Sequence, residues 1–194
     1  MRQTVLAAAF GLALAAPFAA PAFANGWTLD KSHAHITFTA DHLGFSLVHG
    51  QFRSFDADFV FDPENMAATE VAFTIDAASI DTFWAERDEH LRNADFLDVA
   101  NHPTINFVST QVTPTSDTTA EIAGDLTMLG ETREVVFEAT LNKLAPSPFN
   151  PNILVAGFSA TGEIRRADFG MTFGGEAFAT VIPVRIDLEI TREQ

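Results

Sequence analysis

Cysteine and tyrosine are both absent from the 194 residues. Without cysteine the chain has no disulfide framework, no sulfur ligand for zinc and no thiol to carry a lipid anchor. Stability must therefore come from the core. Without tyrosine, the 19 phenylalanines and two tryptophans offer apolar surface with few hydrogen-bonding handles. Positive charge is scarce too: 11 Lys and Arg against 26 Asp and Glu give a net charge of −15. Such a surface repels nucleic acid and anionic lipid head groups, so no nucleic-acid partner and no polybasic docking on membranes is expected. No H-E-x-x-H helix and no G-x-S-x-G elbow occurs, and the carboxylates are spread through turns. No enzyme signature is present.

Long apolar runs are missing except at the start. Arg2, the apolar stretch Val5 to Ala16 and the Ala22-Phe23-Ala24 site form the pattern of an export signal, interrupted by Pro17 and Pro21 and too short to span a bilayer. Residues 1–24 are read as a cleaved leader and 25–194 as one domain, large enough to bury roughly 70% of its unfolded surface. The expected compartment is the periplasm, with no direct membrane insertion.

What is present is alternation. From Ser32 to Phe61 the chain reads as two long strands with a kinked connection, Ile36 and Phe38 on one face and His35, Thr37 and Thr39 on the other. Gly44 and Gly50 mark bends, and Phe55, Ala57, Phe59 and Phe61 alternate in the second strand. Further strands follow through Phe73 and Ile75, Ile105 and Phe107, Leu126 and Met128, Val135 and Phe137, Phe158 and Ala160, and Val184 to Ile190. Between them, Phe83 to Arg92 reads as a helix capped by Asp81 or Thr82, with Glu86-Arg87-Asp88-Glu89 on a solvated face. About eight antiparallel strands with glycines inside them (Gly50, Gly124, Gly162) favour a closed, coiled barrel over a two-sheet sandwich. The inward set is Ile36, Phe38, Phe73, Ile75, Phe107, Leu126, Met128, Phe137 and Phe158.

Two uses of the phenylalanines stay open at this point: a core that fills itself, or the lining of a cavity for a long hydrocarbon. His33-x-His35 and the scattered His42, His49, His90 and His102 lack converging ligands and read as strand-surface or loop histidines, so neither a metal nor a cofactor is expected. Arg87, Arg92 and Arg166 are candidates for a polar rim that takes an anionic head group through the guanidinium fork.

The order of motifs resembles the bacterial YceI-like family of polyisoprenoid-binding, lipocalin-like proteins. Carrying the resemblance are Ser32–Phe38, Asp41-His42-Leu43-Gly44, His49-Gly50-Gln51-Phe52, Arg87–Leu91, Asp95-Phe96-Leu97-Asp98 and His102–Phe107. Gly124–Gly130 and Arg166–Met171 complete it, with Leu129 where the family pattern has His. The resemblance implies an all-β fold, an extended eight-stranded antiparallel barrel with one inserted α-helix. It also implies a lumen that holds a long isoprenoid, of the quinone-tail or polyprenyl-phosphate kind, without catalysis. The lumen candidates are then the inward set with Phe52 and Ala160. Expected partners are that lipid and a second copy of the chain paired mouth to mouth. Two alternatives remain: a hydrolase or isomerase acting on the bound lipid, and an accessory stress or redox protein with a self-filled barrel.

Overall fold

The structure is a computed structural model describing residues 26–194. The leader expected at residues 1–24 lies outside the described residues. Eleven strands form one antiparallel sheet. In chain order they are β1 (Thr28–Leu29), β2 (His35–His42), β3 (Ser46–Phe52), β4 (Phe55–Val60), β5 (Glu70–Asp76), β6 (Ile80–Asp81), β7 (Thr104–Pro114), β8 (Thr119–Met128), β9 (Glu131–Pro146), β10 (Ile153–Arg165) and β11 (Val181–Glu193). One α-helix, α1 (Ala85–Arg92), is inserted between β6 and β7.

The spatial order is β4-β5-β7-β8-β9-β10-β11-β2-β3-β6, with β1 added alongside β11. The sheet therefore starts at β4 and comes round to β3, the strand that immediately precedes β4 in the chain, with the two-residue β6 paired on the far edge of β3. This curl makes a barrel whose seam lies between β3 and β4. The single second strand expected in the Ser32–Phe61 stretch is in fact two. At Arg53-Ser54 the chain leaves one edge of the sheet and begins the other, with Arg53 N–H donating to Ser79 O and Ser54 O accepting from Asp76 N–H. The inward positions change from even numbers (Val48, Phe52) to odd (Phe59, Phe61) across this break, a one-residue slip in the alternation that marks it in the sequence.

The strand glycines do more than loosen the sheet. Gly50 pairs with Phe38 and Gly162 with Phe137, and in each case a Cβ would collide with the facing phenylalanine ring. Glycine on the inner face gives the ring its space. Bulges at Ser109–Gln111 and at Gly157–Phe158 add curvature.

Antiparallel alternation sorts the connections to two ends. The β2–β3 turn, the α1 insert, the β8–β9 turn and the loop from β10 to β11 share one end. At the other, Trp27 packs behind Phe61 with ring centroids 5.5 Å apart, its Nε1 donating to Phe61 O at 2.8 Å. That end is closed by buried apolar groups, Trp27, Leu29, Phe61 and Ile190.

The helix is shorter than expected. Phe83 is left-handed with φ of 64°, and Trp84 is extended, so helical geometry begins only at Ala85. Neither Asp81 nor Thr82 caps it: the Asp81 carboxylate accepts from Phe83 N–H, and Thr82 is bonded to Asp88. Asp88 is also not on a solvated face. It is buried, its Oδ1 accepting from Thr82 N–H at 2.8 Å and from the Thr82 hydroxyl.

Candidate ligand-binding site

Inside the barrel lies a cavity of about 770 Å³. That is within the roughly 300–1,000 Å³ of small-molecule sites. Its wall is built by strand alternation: Ile36, Phe38, Phe52, Phe73, Ile75, Phe107, Leu126, Met128, Phe137, Phe158 and Ala160 all line it. The structure thus brings every lumen candidate to one surface. Phe59 and Phe61 line it too. They carry the same period-2 signal as the others and could have been named from it.

The rings pair along the wall. Phe61 meets Phe158 edge-on at 5.1 Å, Phe107 meets Phe137 at 5.6 Å, Phe59 meets Phe73 at 6.0 Å and Phe38 tilts against Phe52 at 5.9 Å. Such pairs fix one another's orientation, so the wall is shaped before any ligand enters. Polar lining concentrates towards the α1 end, where Asp41, His42, Ser46, Thr82, Glu86, Arg87 and His90 contribute.

The three arginines are not equivalent. Arg166 is buried and lines the cavity, but its Nε, Nη1 and Nη2 donate to the carbonyls of Ala179, Met171 and Gly175 at 2.7, 2.6 and 2.6 Å. It clasps the β10–β11 loop. Arg87 also lines the cavity, with Nε on the Thr82 hydroxyl at 2.7 Å and Nη2 on Thr82 O at 2.5 Å. Arg92 does not line it. Its Nε and Nη2 reach Ala78 O and Ile80 O at 2.7 and 2.6 Å, tying α1 to β6. Backbone carbonyls of turns and loops are invisible to sequence pattern as arginine partners, which is why the clamp role was missed.

Above the cavity, α1 and the β10–β11 loop meet through rings. His90 lies edge-on to Phe96 at 5.0 Å and to Phe173 at 5.4 Å, its Nε2 3.0 Å from Asp95 Oδ2, and Phe173 stacks on Phe178 at 6.2 Å. His90, Phe96 and Phe178 reach the cavity wall.

The YceI-like domain profile matches residues 27–191, nearly all of the described chain. The chain belongs to the YceI-like family. A UPF0312 protein of Pseudomonas putida is 38% identical over 195 residues, covering 100% of this chain and 97% of the relative. Among solved structures, Burkholderia cenocepacia BcnA superposes with a TM-score of 0.74 at 22% identity, covering 83% of this chain and 98% of that one. A polyisoprenoid-binding domain from Saccharophagus degradans, implicated in plant cell wall breakdown, gives a TM-score of 0.63 at 14% identity over 87% of this chain and 99% of that one. These two likenesses carry the barrel fold.

Outside the barrel of this YceI-like protein, one group of side chains among the described residues could converge on an ion: Asp30, His33 and Glu189, of which only His33 is exposed. Hydrogen bonds from Ser32 and His33 hold the Asp30 carboxyl down at about 2, and that same Asp30 contact, with Glu189 beyond it, raises His33 above its ordinary value. The cluster pins the turn before β2 onto β11, where Asp30 N–H donates to Glu189 O at 2.9 Å.

Proposed function

We propose that the protein binds a long polyisoprenoid lipid in the barrel lumen and carries or stores it in the periplasm, without transforming it. The observation that supports this most is the phenylalanine-walled cavity inside the barrel. An interior filled by its own side chains would have no such volume. The deep wall is apolar, with the ionisable groups gathered towards the α1 end or, at Arg166, held by backbone carbonyls. That arrangement suits holding a hydrocarbon better than acid–base chemistry on it.

The magnitudes are adequate. At about 0.8 kcal/mol per buried CH₂, sheltering ten carbons yields roughly 8 kcal/mol gross. After the cost of ordering, micromolar binding or better is reachable. The tail would lie against the Phe wall and the head group near Arg87, the cavity-lining arginine carried by α1 itself. The leader pattern at residues 1–24 supports the compartment, and the polyisoprenoid-binding domain of Saccharophagus degradans supports the ligand class.

The test is to narrow the lumen. Ala160→Trp adds bulk on the wall, and Glu89→Gln changes an exposed helix residue. Native mass spectrometry of protein purified without detergent should show a retained isoprenoid in the wild type and in Glu89→Gln, and none in a folded Ala160→Trp. Absence of any lipid from the wild type, with no uptake of added polyprenol, would remove the proposal.

A further inference from the structure

Six of the eight large hydrophobic side chains exposed among the described residues lie at the α1 end: Leu43, Phe45, Leu47, Phe83, Trp84 and Phe173. Topology puts them together. The β2–β3 turn carries the first three. β6 runs antiparallel to β3 in the register Gln51↔Asp81, so the chain after Asp81 heads back along β3 towards that turn, bringing Phe83 and Trp84 with it. β11 pairs antiparallel with β2 through Val184↔Phe38, so the loop preceding β11, which holds Phe173, approaches the same place.

The inner side of this region is the opening of the lumen. His42 and Ser46 flank the turn and line the cavity, and Trp84 lines it from the other side. The β2–β3 turn is uncharged: residues 43–48, Leu-Gly-Phe-Ser-Leu-Val, contain no ionisable side chain in a chain of net charge −15, although Asp41, Glu86 and Glu176 stand exposed close by in sequence to the rim residues. Phe45 at the tip is 86% exposed and Trp84 is 61% exposed.

We infer that this rim is a docking surface for a phospholipid bilayer, which it touches while ligand passes between membrane and lumen. The inference rests on the proposed lumen function for its purpose. Leucine, phenylalanine and tryptophan at loop tips are the side chains that partition into the headgroup boundary. Trp84 belongs to both the rim and the cavity lining, so a hydrocarbon leaving the bilayer there has only the band of polar side chains at the mouth to pass before the apolar wall. The acidic surface around it makes a second copy of the chain a poor occupant and an anionic membrane a poor target. Neutral phosphatidylcholine is the favoured surface. No helix among the described residues is long and apolar enough to cross a membrane, so contact would be peripheral.

The experiment is flotation of the full chain with phosphatidylcholine vesicles, with tryptophan emission as a second readout. Trp27 is buried and Trp84 is at the rim, so a blue shift on adding vesicles reports Trp84. The double variant Leu43→Asn/Phe45→Ser should lose about tenfold or more in vesicle partition. Phe149→Ser, at an exposed site on the opposite end, should lose none. Three results would overturn the inference: no flotation of the wild type, undiminished binding by the double variant, or binding that needs anionic lipid and vanishes in salt. Rim-dependent self-association without vesicle binding would do so as well, in favour of a dimer. Polyprenol uptake measured in parallel separates the two claims. Vesicle binding by a protein that takes up no polyprenol would leave the docking surface standing and overturn only the lumen reading.

Discussion

Two hairpin turns at the same end of the barrel use the same two residues in the same backbone state. Leu43-Gly44, followed by Phe45, joins β2 to β3 with φ of 58° and 76°, and Leu129-Gly130 alone joins β8 to β9 with φ of 55° and 79°. Both have the left-handed pair of residues that matches strand twist, and both put leucine where a Cβ is disfavoured. Their surroundings differ. Leu129 packs against the core and the His102 ring lies over Gly130, so the segment after α1 covers this turn. Leu43 is half exposed and Phe45 beside it is bare. Strand twist dictates the turn; the neighbours decide whether its leucine is core or surface. The inserted segment closes one side of the barrel end and leaves the other as the opening.

Breaking the covered side should have the largest effect, and Arg166 is the place to do it. Its fork holds the β10–β11 loop by three carbonyls, and that loop supplies Phe173 and Phe178 to the ring cluster over the cavity. Arg166→Ala removes three charge-assisted bonds from a buried side chain to a loop that is itself half-buried or exposed, and should cost about 2 kcal/mol or more in urea unfolding. Arg166→Lys keeps the charge but cannot reproduce the fork, and should recover only part. A loss below about 1 kcal/mol for Arg166→Ala would show that the clasp is not what holds the cover.

The turns themselves give a smaller and sharper test. Asparagine tolerates a left-handed backbone better than leucine does. At position 43, where little packing is lost, Leu43→Asn should stabilise by about 0.5 kcal/mol. Leu129→Asn gains the same relief but removes a side chain packed on the core, and should destabilise by about 1 kcal/mol net. Opposite signs in paired urea titrations would uphold the distinction, whereas equal shifts would mean that the two leucines do the same job.

How far these features were legible follows from what periodicity can carry. The lumen set was readable because a curled sheet keeps alternate residues on one face from Ile36 to Phe158. The break at Arg53-Ser54 shows only as a one-residue slip in that alternation, between Phe52 and Phe59, which a single-strand reading passes over. Asp88 sits in an acidic run that looks solvated, and only its tertiary bond to Thr82 buries it. Arginine suits phosphate, which makes Arg92 a head-group candidate by residue type, yet its partners are the carbonyls of Ala78 and Ile80. Polar side chains that bind main chain leave no trace in spacing.

The smallest effect lies at the opposite end of β2 from the Leu43 turn, where polar contacts replace backbone strain. Asp30 accepts from the Ser32 amide at 2.9 Å and contacts His33 Nδ1 at 2.8 Å. Its carboxyl, held at about 2 against an ordinary 3.8, contributes stability that is present above pH 3.8 and is lost as pH falls towards 2. His33 has the opposite sense. Raised above its ordinary 6.5, it contributes stability that is complete below pH 6.5 and disappears as pH rises through its folded value. Both contributions are therefore present together only between those limits. Asp30→Asn should lose most relative to the wild type near about pH 5, with the difference shrinking at about pH 2.5 and at about pH 8. Some difference should persist at the upper pH, because the Ser32 bonds are the larger cause at Asp30 and do not titrate there. Denaturant midpoints for the two proteins at those three pH values would measure it. A difference that stays constant across them would mean that the Asp30–His33 contact does not hold this end of the strand.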